Sequence, residues 1–152
     1  MKRLHVSLSV RDIEESIKFY AHLFAARPTV QRDDYAKWLL DDPCVNFSIV
    51  GPSGAPGLSH LGIQVESDEE LEQVHTRMRN TQGPVTDVAE ATCCYARGQK
   101  GWAIDPQGVA WEGFFTHEDG LSHFGNAAAL DLAPAGTDKH AGKPKSGSAC
   151  CV

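Results

Sequence analysis

The stretch His5-Val-Ser-Leu-Ser-Val-Arg-Asp-Ile-Glu-Glu is matched later in the chain by His60-Leu-Gly-Ile-Gln-Val-Glu-Ser-Asp-Glu-Glu. Self-similarity at a fixed offset is typical of a chain built from copies of one unit. A second match, at a larger offset, pairs Trp38, Asp41, Val45 and Phe47 with Trp102, Asp105, Val109 and Trp111. The sequence therefore predicts two related halves, and about nine extra residues in the second half, Cys93 and Cys94 among them.

Each half begins with a segment in which apolar and polar residues alternate, as in a half-buried strand. The apolar positions are Leu4, Val6, Leu8 and Val10 in the first half and Leu61, Ile63 and Val65 in the second. We therefore expect His5 and His60 on the opposite face of the sheet. An amphipathic helix follows each strand. The apolar stripe of the first helix is Ile13, Ile17, Tyr20 and Phe24, and Asp12 is its N-cap. The stripe of the second helix is Leu71, Val74 and Met78, and its N-cap is Ser67 or Asp68.

Three shorter strand-like runs complete each half, separated by turn signals such as Asp42-Pro43. They lie near residues 27–32, 35–41 and 45–50, and near 85–90, 101–105 and 109–115. The prediction is an α+β fold in which two β-α-β-β-β modules form a curved mixed sheet around a metal cleft. One domain is expected over residues 1–120, with modules at about 1–52 and 57–117. A flexible, disordered tail is predicted for 121–152, because its composition offers little apolar area to bury.

Charge and hydropathy exclude several classes of partner. The formal net charge is −6 without a lysine or arginine cluster, which argues against nucleic acid. No run approaches the roughly 20 apolar residues of a membrane span, so we expect a cytoplasmic protein without membrane contact. The five cysteines include two vicinal pairs and do not resemble a disulfide framework, so they should be free thiols. The oligomeric state stays open.

His5, His60 and Glu112 are the candidate metal ligands. Both histidines occupy the same register of the repeat, and Glu112 lies in the apolar run Val109-Ala-Trp-Glu-Gly-Phe-Phe, where a lone carboxylate is costly to bury. The position that corresponds to Glu112 in the first half is Ser48, a poor ligand. Two imidazoles and one carboxylate match the facial triad of non-haem Fe(II) oxygenases, which leaves coordination positions open.

A structural role is the alternative, because a single strand histidine usually has no ligand and the chain has seven histidines. The repeat outweighs this alternative for His5 and His60. We assign no function to the others, which are His22, His75, His117, His123 and His140.

The vicinal thiols of Cys93 and Cys94 are the candidate substrate ligands. We expect them in a loop between strands that leans over the cleft, where two soft thiolates bind a soft acceptor. The alternative is a pair of small, partly buried residues. Cys44 is more simply a core residue, and Cys150-Cys151 forms a hypothetical capture site for soft metals or metalloids. Further cleft walls are predicted at Tyr95, Gln99, Lys100 and Trp102.

With its paired modules and triad, the chain resembles the ArsI type of organoarsenical-degrading dioxygenase. Two segments carry the narrower resemblance, Ala91-Thr-Cys-Cys-Tyr-Ala and Asp41-Asp-Pro-Cys-Val-Asn-Phe. That family belongs to the vicinal oxygen chelate superfamily, alongside glyoxalase I, bleomycin-resistance proteins and extradiol dioxygenases, and includes proteins described as cadmium-induced. The resemblance covers residues 2–120.

The resemblance implies Fe(II)- and dioxygen-dependent cleavage of the carbon–arsenic bond of trivalent organoarsenicals such as methylarsenite, which releases arsenite. It implies that His5, His60 and Glu112 bind the iron and that Cys93 and Cys94 bind the arsenic. Three alternatives stay open: a non-enzymatic cadmium- or metalloid-binding resistance protein, a glyoxalase-like enzyme, and an extradiol dioxygenase. Ser48, a poor ligand, argues against the glyoxalase-like enzyme, and the vicinal cysteines would have no role in an extradiol dioxygenase.

Overall fold

A computed structural model describes residues 1–52, 55–119 and 121–122. The first half contains β1 (Arg3–Ser9), α1 (Ile13–Leu23), β2 (Val30–Gln31), β3 (Tyr35–Asp41) and β4 (Cys44–Val50). The second half contains β5 (Gly57–Val65), α2 (Asp68–Arg79), β6 (Ala89–Cys93), β7 (Ala96–Ile104) and β8 (Ala110–Asp119). The order β-α-β-β-β in both halves confirms the predicted fold class. From residue 123 onward, the predicted tail with Cys150 and Cys151 lies outside the described residues.

The eight strands form one mixed sheet in the order β2-β3-β4-β1-β5-β8-β7-β6. The first strands of the two halves, β1 and β5, pair antiparallel at its centre. Each then pairs in parallel with the last strand of its own half, β1 with β4 and β5 with β8. The central pair thus lies on the pseudo-twofold axis, which places equivalent residues of the two modules close together. Among the described residues, no helix is long and apolar enough to cross a membrane.

The two helices cover the same face of the sheet, and the predicted stripe is buried in α2 and partly buried in α1. Asp12 caps α1 and Ser67 caps α2, each by accepting a backbone N–H in the first turn. Under α1 lies an aromatic cluster around the fully buried Trp38. Between α2 and the sheet lies a core that includes Val74 of the helix and Ala103 of β7. His5 and His60 are on the other face, as predicted, and this face lines the cleft.

The match between Trp38 and Trp102 is wrong by one residue. Trp38 pairs with Phe47, whereas Trp102 pairs with Glu112, so Trp102 lies on the cleft face. The structural counterpart of Trp38 is Ala103. The two hairpin turns differ in length. Four residues separate the paired Leu40 and Val45, whereas only three separate the equivalent Asp105 and Val109.

Four of the predicted strands have different bounds, among them the one near 109–115, which runs from Ala110 to Asp119. Only Val30–Gln31 is a strand in the region 27–32, since Pro28 has no N–H to give to a ladder. In the region 85–90, Val85 forms an isolated bridge to Ala103, and β6 begins at Ala89. The strand expected at 101–105 begins at Ala96 instead. As a result, Cys93 and Cys94 lie in a β-hairpin rather than in an irregular loop.

Candidate metal centre and dithiol

The three predicted ligands converge at the centre of the cleft from three neighbouring strands, β1, β5 and β8. Nε2 of His5 is 3.2 Å from Nε2 of His60. Oε1 of Glu112 is 3.3 Å from the first of these nitrogens and 3.4 Å from the second. All three side chains are buried. The pseudo-twofold axis therefore brings together residues that are 55 and 52 positions apart in the chain.

Gly62 makes room for this arrangement. It lies in register between His5 on β1 and Glu112 on β8, so three residues stand side by side across three strands. A Cβ on Gly62 would come within 2.7 Å of Cγ of Glu112. An isolated glycine inside a strand often marks a close approach, and this signal was available in the sequence.

Hydrogen bonds orient the two imidazoles. Nδ1 of His5 is 2.9 Å from the carbonyl oxygen of Asn46, which only accepts, so this nitrogen carries the proton and donates. Nδ1 of His60 is 3.1 Å from Oγ of Ser59, which can accept in the same way. In this tautomer each Nε2 presents its lone pair to the centre of the triad. A hydrogen bond on the second ring nitrogen is typical of metal-binding histidines.

The protonation states also suit a cation. Burial, with smaller contributions from the neighbouring His60 and Lys100, lowers the pKa of His5 to about 4 against the opposing effects of Glu112 and the Asn46 carbonyl. Burial alone would raise the pKa of Glu112, but Lys100, His60 and His5 together hold it well below its usual range. At neutral pH the site therefore holds a neutral His5 and an ionised Glu112. These are the forms in which histidine and glutamate bind metals.

The donor set fits a first-row divalent ion. Ligand atoms that each lie about 2.1 Å from one ion, at angles between 90° and tetrahedral, are roughly 3.0–3.4 Å apart. The three separations in the triad fall within this range. Two imidazoles and one carboxylate are the ligands of non-haem iron sites with open positions. The slot equivalent to Glu112 holds Ser48, which is buried on the cavity wall beside Ser7.

Lys100 contacts the triad and was expected only as part of the cleft wall. Its Nζ donates to Oε2 of Glu112 at 3.0 Å, while Oε1 faces the histidines. The ammonium group thus holds one carboxylate oxygen and leaves the other for a cation. The sequence pattern gave no indication of this pair, because it depends on the relative register of β7 and β8.

Cys93 and Cys94 lie at the turn between β6 and β7, and their Sγ atoms are 2.9 Å apart. This is longer than the roughly 2.0 Å of a disulfide, so the two cysteines are not bridged to each other. Together with all three triad residues, they line one cavity of about 50 Å³. A pair of soft ligands therefore lies on the wall of the same cavity as the triad.

Of the four residues predicted to form cleft walls, two line the cavity and two do not. Gln99 and Lys100 line the cavity, as expected. Trp102 packs edge-on against the His60 ring, with 5.2 Å between centroids, and Tyr95 is buried beside Cys94. Of the histidines left without a function, His75 is buried and has a structural role, because its Nε2 donates to the Thr86 carbonyl at 2.6 Å.

Comparisons with known proteins agree with this geometry. The model of the Glyoxalase/Bleomycin resistance protein/Dioxygenase superfamily matches residues 2–112. A protein named "Trivalent organoarsenical cleaving enzyme" from Bacillus sp. (strain MD1) is 43% identical over 120 residues, which cover 76% of this chain and 74% of that protein. The "Cadmium-induced protein CadI" of Mycobacterium tuberculosis (strain H37Rv) is 34% identical over 114 residues, or 74% of each chain.

Solved structures show the same fold. A variant of homoprotocatechuate 2,3-dioxygenase from Brevibacterium fuscum superposes with a TM-score of 0.60 at 14% identity, over 76% of this chain and 32% of that one. By sequence and by fold, the chain belongs to the Glyoxalase/Bleomycin resistance protein/Dioxygenase superfamily, in the branch of the relatives named for organoarsenical cleavage and cadmium induction.

Proposed function

We propose that this protein is a mononuclear non-haem Fe(II) dioxygenase that cleaves the carbon–arsenic bond of trivalent organoarsenicals such as methylarsenite. His5, His60 and Glu112 hold the iron, and Cys93 and Cys94 bind the substrate. The observation that carries the proposal is the single cavity lined by both sets of residues. The similarity to proteins named organoarsenical cleaving enzymes supports the choice of substrate class.

Substrate binding follows from the chemistry of the two thiols. Methylarsenite carries two hydroxyl groups on arsenic. Each thiol gives its proton to one hydroxyl group, so two As–S bonds form and two waters leave. The product of this exchange is held at two points, which fixes the direction of its remaining As–C bond. The cysteines thus present the methyl carbon in a defined pose inside the triad's cavity.

Besides a bound substrate, the reaction requires activated dioxygen, and the triad holds the metal for this purpose. When bound, Fe(II) supplies the activation of dioxygen that the organic side chains cannot perform. The protein's own residues keep the site ready: His5 stays neutral, Glu112 stays ionised, and Lys100 holds the second oxygen of Glu112. The cavity is small, so a bound substrate leaves little room for water beside the reacting groups.

The overall reaction balances without a further reductant. One methylarsenite and one dioxygen contain the atoms of one As(OH)₃ and one formaldehyde. The carbon loses four electrons, dioxygen accepts them, and arsenic stays trivalent. We therefore infer that formaldehyde is the organic product. A reducing compartment such as the cytoplasm would keep Cys93 and Cys94 as thiols.

The test loads anaerobically purified protein with Fe(II), adds methylarsenite and admits air. We expect oxygen uptake, arsenite and formaldehyde in equal amounts over many turnovers, and none of them with His60→Ala. Stoichiometric binding of methylarsenite without oxygen uptake would contradict the proposal and indicate a sequestering protein. Equal rates with Fe(II) and with redox-inactive Zn²⁺ would contradict it too, and would indicate Lewis-acid chemistry of the glyoxalase kind.

A further inference from the structure

We propose that Tyr95 is a positioning residue that holds the dithiol of Cys93 and Cys94 over the cavity by tying the β6–β7 turn to Asp34 of the first module. The inference rests on the proposed function, since it takes the dithiol as the substrate-binding group. Tyr95 does not line the cavity, so its effect on the substrate would come from the position it gives the two thiols.

The turn that carries the thiols has an unfavourable backbone. Cys93 and Ala96 are paired, so Cys94 and Tyr95 form a two-residue hairpin connection. Both have positive φ angles, 56° for Cys94 and 62° for Tyr95. A turn with positive φ at both central residues strongly favours asparagine, aspartate and glycine. Cysteine and tyrosine have no such preference, so the turn needs support from its surroundings.

Tyr95 provides this support. Its hydroxyl group donates to Oδ1 of Asp34 at 2.6 Å. Its ring packs against the ring of Tyr35, with 5.9 Å between centroids, and the guanidinium carbon of Arg32 lies 5.2 Å from the ring centroid. The residue is only 9% exposed. Its backbone oxygen accepts the N–H of Leu121 at 2.7 Å.

These contacts join the two modules across the cleft. Asp34 and Tyr35 lie at the start of β3, near one edge of the sheet, while Tyr95 joins the two strands at the opposite edge. Tyr35 also lines the cavity, and Cys94 packs against the same cluster. Tyr95 therefore sets where the thiols stand relative to the triad, which belongs to the central strands. A second link across the cleft is the ion pair of Lys37 with Asp119.

The relation between Tyr95 and Asp34 allows a double-mutant test with matched controls. The variants are Tyr95→Phe, Asp34→Ala and the two combined, with Asp34→Asn to restore an acceptor. Tyr20→Phe removes a phenol hydroxyl from the far side of the sheet. For each variant we measure the Kd for methylarsenite by anaerobic calorimetry, the Kd for Fe(II), and the kcat and KM of the loaded enzyme.

We expect Tyr95→Phe and Asp34→Ala each to weaken methylarsenite binding by up to about tenfold, as for the loss of one hydrogen bond. The double variant should lose no more than either single variant. Asp34→Asn should bind methylarsenite more tightly than Asp34→Ala, Tyr20→Phe should match the wild type, and Fe(II) affinity should not change. KM should rise in step with Kd, while kcat falls less.

An unchanged methylarsenite Kd in Tyr95→Phe, even with a lower melting temperature, would overturn the proposal and leave Tyr95 a purely structural role. Additive losses in the double variant would also overturn it. If Tyr95→Phe does not fold, Asp34→Ala and Asp34→Asn decide the question by the same criterion. Failure of the wild-type protein to bind methylarsenite would instead overturn the proposed function.

Discussion

Gly62 and Glu112 are cross-strand neighbours on β5 and β8, and the missing side chain of Gly62 leaves the space that Glu112 occupies. A Cβ on Gly62 would lie 2.7 Å from both Cγ and the backbone oxygen of Glu112, and 3.4 Å from Cβ of His5. The first two distances are shorter than normal van der Waals contact. The geometry of the triad therefore depends on a residue that contributes no ligand atom.

Gly62→Ala should displace Glu112 and lower Fe(II) affinity by at least about tenfold, the usual scale for residues that position metal ligands. Anaerobic competition with a chelator of known affinity measures the effect. Gly51→Ala is a suitable control, because its Cβ would lie 3.2 Å from Val10, away from the triad. Unchanged iron binding in Gly62→Ala would show that Glu112 is not a ligand or that the strands adjust freely.

The two ligand sets should separate by mutation. Glu112→Ala should lose iron and activity together, because it removes the charged member of the triad. Cys94→Ser should retain iron and lose methylarsenite affinity, because a hydroxyl group is a poor ligand for a soft acceptor. Iron content by metal analysis and arsenical affinity by calorimetry report the two effects. Loss of iron from Cys94→Ser would contradict this division of roles.

Lys100→Met should destabilise the metal-free protein by about 3 kcal/mol, the lower end of the cost of leaving a buried charge without its partner. The side chains of Lys100 and Glu112 are 17% and 4% exposed. Bound Fe(II) should reduce the loss, since the cation becomes a partner of Glu112. Urea denaturation of the metal-free and iron-loaded forms measures both values.

The matched control for this variant is Lys37→Met, whose ammonium group pairs with Asp119 rather than with the triad. Any loss of stability in Lys37→Met should be the same with and without iron. An equal loss in the two forms of Lys100→Met would contradict the claim that the cation and Lys100 share Glu112 as a partner.

Acid should destabilise the metal-free protein through His5. Its pKa is lowered to about 4 in the fold, from about 6.5 in the unfolded chain, so unfolding takes up a proton between these values. The contribution of the neutral imidazole is fully present above about pH 6.5 and is lost as the pH falls through about 4. Denaturation at pH 7 and pH 4.5 should show a smaller loss for His5→Gln than for the wild type. Equal losses would mean that the imidazole titrates normally.

The sequence predicted the repeat, both helices with their N-caps, and the convergence of the triad. These depend on local periodicity and on symmetry, which a single chain displays directly. The β6–β7 hairpin was missed because Cys94 and Tyr95 carry no turn signal, although both have positive φ. The wrong match of Trp38 with Trp102 has a different cause. One extra residue in the β3–β4 turn shifts the register, and tertiary pairing alone reveals such a shift.

In the proposed function, the iron ligands and the dithiol act on one molecule in one cavity. Arsenic K-edge X-ray absorption of the anaerobic complex of iron-loaded protein with methylarsenite shows directly whether the dithiol holds the arsenic there. The expected spectrum shows an arsenic bonded to two sulfurs and one carbon, this two-sulfur coordination should be lost in Cys94→Ser, and air should release arsenite from the wild-type complex. An arsenic bonded to oxygen instead of sulfur, or a dithiol complex that persists unchanged in air, would contradict the joint action of the two ligand sets.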